Sequence, residues 1–122
     1  MLRAQTGAQA VTALSPAEVA KLQAKGAHQQ PETAILRVCA GYLRAAGWFV
    51  IRVQQGLGAH KGVSDLICVR RGRVVFAEVK TAKGRLSDWQ DAFRLTITNE
   101  GGEYVVLRCL EDAVDMNGGP LK

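Results

Sequence analysis

Residues 62–80 read GVSDLICVRRGRVVFAEVK, and the way this stretch pairs with itself decides the fold. Two apolar, β-branched runs flank a short RRGR, a pattern that predicts an antiparallel hairpin with strands over roughly 64–70 and 73–80. With Arg71-Gly72 as the two loop residues, Cys68 faces Val75, Ile67 faces Phe76 and Asp65 faces Glu78. A four-residue loop keeps this register and a three-residue loop breaks it. Side chains alternate along a strand, so Lys80 shares the face of Glu78. Apart from these charges both hairpin faces are apolar, which predicts a sheet covered on both sides with the acids at the end of a buried layer.

Opposed residues on one sheet face hold their Cβ atoms about 4.5–5.5 Å apart, and like charges there are destabilising. Three arrangements relieve the repulsion: the acids share a proton, Lys80 pairs with both, or a hard divalent metal lies between them. Oxygen ligands without a supporting His/Cys set favour Mg²⁺ or Mn²⁺ over zinc. A lysine beside such a site can stabilise charge developing on a phosphoryl oxygen or help orient a water. The plainer alternative is a salt bridge from Lys80 to either acid at a sheet end.

Outward from the hairpin, "WFVIRV" (48–53) reads as a strand, joined by the glycine-bearing loop "QQGLGAHKG". A helix precedes it from Pro31 to just before Gly47, with Ile35, Cys39, Tyr42, Leu43 and Ala46 at helical spacing. "TAKGR" is a basic loop, and residues 86–99 form a helix with Trp89, Phe93 and Ile97 on one face. Gly101-Gly102 ends it, "EYVVLRC" is a last strand, and "LEDAVDM" a closing helix. Residues 1–30 form an N-terminal extension: 1–14 are Ala/Gln/Thr-rich, and 15–26 predict a short helix with Ser15 as N-cap and Pro16 next. Residues 31–116 make one domain and 117–122 a tail. The glycines of "GLGAHKG" do not fit a dinucleotide-binding turn, because their spacing differs and a strand follows.

The whole chain of 122 residues is long enough for one modest core without staples. Its three cysteines, Cys39, Cys68 and Cys109, are widely spaced in apolar segments and read as reduced core residues rather than a disulfide framework. No apolar run reaches the roughly 18–20 residues of a membrane span, and the first residues lack the apolar centre of a secretory signal. A cytoplasmic, soluble protein is expected. The net charge of +5 falls entirely between Arg52 and Arg94, where nine Lys/Arg meet four acids. Such a concentration suits an anionic polymer such as nucleic acid, or it is simply a solvated face.

The motif "GVSDLI", a turn, then "FAEVKT" resembles the active-site hairpin of the PD-(D/E)XK nuclease superfamily. More narrowly it is similar to the VRR-NUC group of virus-type replication-repair nucleases, to which the downstream "LSDWQ" and the element order from Pro31 to Asp115 also correspond. The resemblance implies an α/β (α+β) restriction-endonuclease-like αβββαβ core around a mixed four-stranded sheet. It implies Asp65, Glu78 and the Val79 carbonyl as ligands of Mg²⁺ or Mn²⁺, with Glu32 as an additional acid. It implies Lys80 as the catalytic lysine and Gln90 as a contact to the scissile phosphate or its attacking water. Ser64 stands where the family often has proline.

Each supporting residue has an ordinary explanation as well. Glu32 suits the first turn of a helix through the helix dipole, although its spacing from Leu36, Cys39 and Leu43 would turn it toward the sheet. Gln90, three residues after Ser87, could complete a capping box. Arg52, Lys61, Lys83 and Arg85 are candidate contacts to a DNA backbone or solvated surface charges, and His60 is a loop histidine. The expected function is a metal-dependent, structure-selective DNA endonuclease, and the resemblance implies that it cuts branched, Holliday-junction-like DNA as a homodimer. The alternatives are a nuclease-like module that binds DNA or a partner protein without cutting, and a purely structural subunit.

Overall fold

The computed structural model describes residues 30–119 together with Ser15 and Pro16. Most of the expected 15–26 helix, and residues 1–14, lie outside the described residues. The described elements run α1 (Glu32–Ala45), β1 (Phe49–Arg52), β2 (Leu66–Arg70), β3 (Arg73–Val79), α2 (Asp88–Asn99), β4 (Glu103–Leu107) and α3 (Leu110–Asn117). The strands form one sheet in the order β1-β2-β3-β4. The first two pairings are antiparallel, whereas β3 and β4 pair in parallel across the α2 crossover. This is the mixed four-stranded α+β core expected.

The hairpin register is the one set by a two-residue loop: Ile67 faces Phe76, Cys68 faces Val75 and Arg70 faces Arg73. Arg71 (φ 50) and Gly72 (φ 83) both adopt left-handed backbone. Two positive φ values in succession give a type I′ turn, whose twist matches that of the strands it joins. Arg71 bears this conformation at an exposed position.

One face of the sheet is sealed. Leu66, Cys68, Val75, Ala77 and Leu107 are wholly buried, with Val79 almost so, beneath Ile35, Cys39 and Leu43 of α1 and Ala113 and Met116 of α3. Burying each Leu, Ile, Val or Met side chain of this set contributes roughly 1.5–3 kcal/mol. Trp48 anchors the corner after α1: its indole donates to Asn117 Oδ1 at 2.9 Å, and the Arg73 guanidinium lies 5.3 Å over its ring. All three cysteines are free thiols. Among the described residues, no helix is long and apolar enough to cross a membrane.

The opposite face is covered only in part, contrary to the expectation of two covered sides. Phe93 of α2 packs edge-on against Phe76 (centroids 5.7 Å apart) and tilted against Tyr104 (6.3 Å). Toward β1 the face is open, with Phe49 67%, Ile51 39% and Val74 41% exposed. The reason is dimensional: one helix about 10 Å across cannot roof four strands spaced about 4.8 Å. No residue of α2 is fully buried. Trp89, expected beside Phe93 and Ile97 on the apolar face, is instead 59% exposed, because the first turn of α2 packs against the 54–63 loop.

Candidate active site

The half-covered face, at the end of β3 remote from the hairpin turn, carries the charges that the sequence singled out. Asp65 lies one residue before β2, yet it continues the ladder: its carbonyl accepts from Val53 N at 2.9 Å. Its side-chain Oδ2 accepts from the backbone N–H of Val79 at 2.8 Å. The carboxylate is thereby tied across to β3, next to Glu78. Buried Ser64 shapes the approach by donating from its hydroxyl to the Leu66 carbonyl (2.9 Å).

Glu78 is only 2% exposed. Its Oε2 accepts from Gln90 Nε2 at 3.0 Å and lies 3.8 Å from Lys80 Nζ, while Oε1 has no partner. Burial, then the neighbouring charge of Asp65, pushes the Glu78 carboxyl up to about 8, while Lys80 pulls the other way. Desolvation outweighs the ammonium because a buried carboxylate loses its water outright, whereas Lys80 compensates from nearly 4 Å. The Lys80 backbone N–H donates to the Leu107 carbonyl, which sets where the strand delivers its side chain.

Gln90 holds both of its anticipated positions at once. Ser87 and Gln90 form a reciprocal capping box: Gln90 N donates to Ser87 Oγ, and Ser87 N donates to Gln90 Oε1 at 2.8 Å. That bond fixes the orientation of the amide, leaving Nε2 to donate to Glu78. Start-of-helix chemistry and the acidic site therefore share one side chain.

Glu32 is placed differently. It stands exposed in the first turn of α1, on the sealed side of the sheet, and acts on Glu78 through its field as the weakest of the causes that raise that carboxyl. Among the described residues no cluster of three or more His, Cys, Asp or Glu is suited to hold a metal. The basic residues also separate. Arg70, Arg71 and Arg73 sit at the hairpin turn, about 20 Å of strand from the acids, and Arg73 is bound to Glu103. The +5 that is contiguous in sequence is thus split between two ends of the sheet. Lys61 lies over the Trp89 ring, 4.7 Å from its centroid. Exposed Lys83 and Arg85 follow Lys80. Arg52 lines a groove of about 370 Å³ with Arg37 and Arg44 beside α1.

Two residues at this site went unremarked in the sequence. Tyr104, paired with Phe76, buries its hydroxyl without a partner; burial, then the charges of Glu78 and Asp65, raises its phenol. Arg108 places Nη1 within 2.6 Å of the Thr81 carbonyl, 3.2 Å of Ala82 and 2.7 Å of Gly84, clamping the loop after Lys80. A parallel register with Val79 opposite Leu107 sets Arg108 beside Lys80, so only the direction of β4 was needed to find it.

The donor set suits a hard cation. Glu78 Oε1 is a buried carboxylate oxygen with nothing to satisfy it, the Asp65 carboxylate adjoins it, and oxygen donors of this kind are what Mg²⁺ or Mn²⁺ takes.

No protein-family model and no curated protein matches the chain. Its fold is similar to a solved structure described as a VRR_NUC domain, with a TM-score of 0.64 and 17% identity over 74% of this chain and 97% of that one. At the level of fold, the resemblance read from the hairpin is therefore supported.

Proposed function

We propose that the protein is a divalent-metal-dependent endodeoxyribonuclease that hydrolyses a phosphodiester bond. The observation that carries this reading is the buried, half-satisfied Glu78 carboxylate beside Asp65, with Lys80 and Gln90 directed at it. Asp65, Glu78 and the Val79 carbonyl would hold Mg²⁺ or Mn²⁺, and Glu32 adds negative field from a greater distance. When bound, such an ion polarises a phosphoryl oxygen and acidifies water. Gln90 steadies Glu78 and offers an amide to the phosphate. Lys80, with a side chain 13% exposed, offers a positive charge to the phosphoryl oxygens and can donate a hydrogen bond that holds the attacking water in a fixed orientation. Lys61, Lys83, Arg85 and Arg52 contact the DNA backbone, which positions the substrate without reading sequence.

Branched, junction-like DNA is the substrate structure we favour, cut by a homodimer, since a two-fold pair lets a single-site domain nick both strands. The open apolar face at Phe49, Ile51 and Val74 offers surface for such pairing. The test is cleavage of labelled duplex, flap, single-stranded and four-way DNA with Mg²⁺ or Mn²⁺, run beside Asp65→Ala, Glu78→Ala and Lys80→Ala. The expected result is metal-dependent cutting that each variant abolishes while DNA binding survives. Salt-sensitive DNA binding without cutting under either metal would instead identify a catalytically silent nuclease-like binding module.

A further inference from the structure

Next to the acidic site, and sharing Gln90 with it, is a cavity of about 290 Å³ between the 54–63 loop and the first turn of α2. Gln55, His60, Lys61, Ser87, Trp89 and Gln90 line it. An indole 59% exposed on a helix that needs apolar cover is costly to leave in water. The backbone that carries it is closely packed. Gly62 (φ +80) approaches the backbone of Trp89 so closely that a Cβ there would meet the Trp89 carbonyl at 2.1 Å. Gln55 secures the other side of the loop by donating to the Val63 and Ser64 carbonyls at 3.3 and 3.5 Å. The Lys61 ammonium 4.7 Å over the ring adds a cation beside the aromatic surface.

An exposed aromatic wall, an adjoining cation and polar side chains next to the acids suit a nucleobase and its phosphate. Paired bases within a duplex are stacked on their neighbours and cannot present a face to Trp89. We propose that this cavity receives an unpaired nucleobase, stacked on Trp89 with its phosphate near Lys61, and so selects DNA with an unpaired nucleotide beside the scissile bond. The proposal rests on the DNA-directed reading of the acidic site and deepens it.

The test is equilibrium binding of the full chain, in EDTA so that nothing is cut, to fluorescein-labelled oligothymidylate and to a length-matched duplex. Wild type, Trp89→Ala and Trp89→Phe are compared, with circular dichroism verifying that each is folded. Base–aromatic stacking makes a contribution that corresponds to about a ten-fold change in affinity. Trp89→Ala is therefore expected to weaken single-strand binding about ten-fold and duplex binding less than two-fold, with Trp89→Phe intermediate. Equal loss on both ligands, or no loss on either, overturns the base pocket while leaving the nuclease reading intact. No binding of the wild type to either ligand overturns both.

Discussion

Replacing Glu78 with glutamine should stabilise the metal-free protein at alkaline pH. In the folded chain the Glu78 carboxyl keeps its proton up to about 8, whereas its ordinary value is 4.5. Between these values the folded state holds a proton that the unfolded state has released, so stability falls as pH rises and is lowest above pH 8. At about 1.4 kcal/mol per pH unit, this window caps the penalty near ~5 kcal/mol. Relaxation and water entry reduce such penalties in real interiors, so the expected gain for Glu78→Gln is about 2 kcal/mol at pH 9, shrinking toward zero near pH 5. The amide stands beside Asp65 without carrying a charge. Urea unfolding in EDTA, followed by circular dichroism at pH 5, 7 and 9, measures both chains. A wild-type stability that stays flat or rises from pH 5 to 9, or a variant no more stable than wild type at pH 9, would refute the reasoning.

Gly62→Ala should cost about 2–5 kcal/mol, combining a left-handed backbone that alanine resists with a collision against the Trp89 carbonyl; a urea midpoint shift equivalent to less than ~0.5 kcal/mol contradicts the close approach. Arg108→Ala removes the clamp on residues 81–84, with an expected loss of about 2 kcal/mol and faster amide exchange over the loop. All three bonds come from the single atom Nη1, so Arg108→Lys, which offers one nitrogen with three donors on a shorter side chain, should restore part of the protection; no recovery at all with lysine would show that the reach of the guanidinium holds the loop.

The hairpin was legible because its two-residue turn and its apolar alternation specify the same register, and a one-residue slip would have turned every side chain over. Asp65 and Glu78 followed directly from that register. What could not be read was anything depending on which strands α2 covers. Trp89, Phe93 and Ile97 share a helical spacing, yet the first turn of α2 lies against a loop and exposes the indole. Glu32 has the spacing of a sheet-facing residue, yet it stands exposed in the first turn of α1 while its charge reaches Glu78. The basic residues form one cluster along the chain and two in space, since a hairpin carries neighbours in sequence to opposite ends of a sheet.

Gln90 closes the helix start and braces the acid with a single amide. A side chain serving two partners removes the freedom to adjust them separately. Changes at Ser87 and at Glu78, on different elements, should be non-additive in both stability and activity, with Gln90 as the shared term. Any route by which this site drifts toward another chemistry must therefore carry the fraying of α2 along with it, which narrows the sequences open to the site more than its handful of polar residues would suggest.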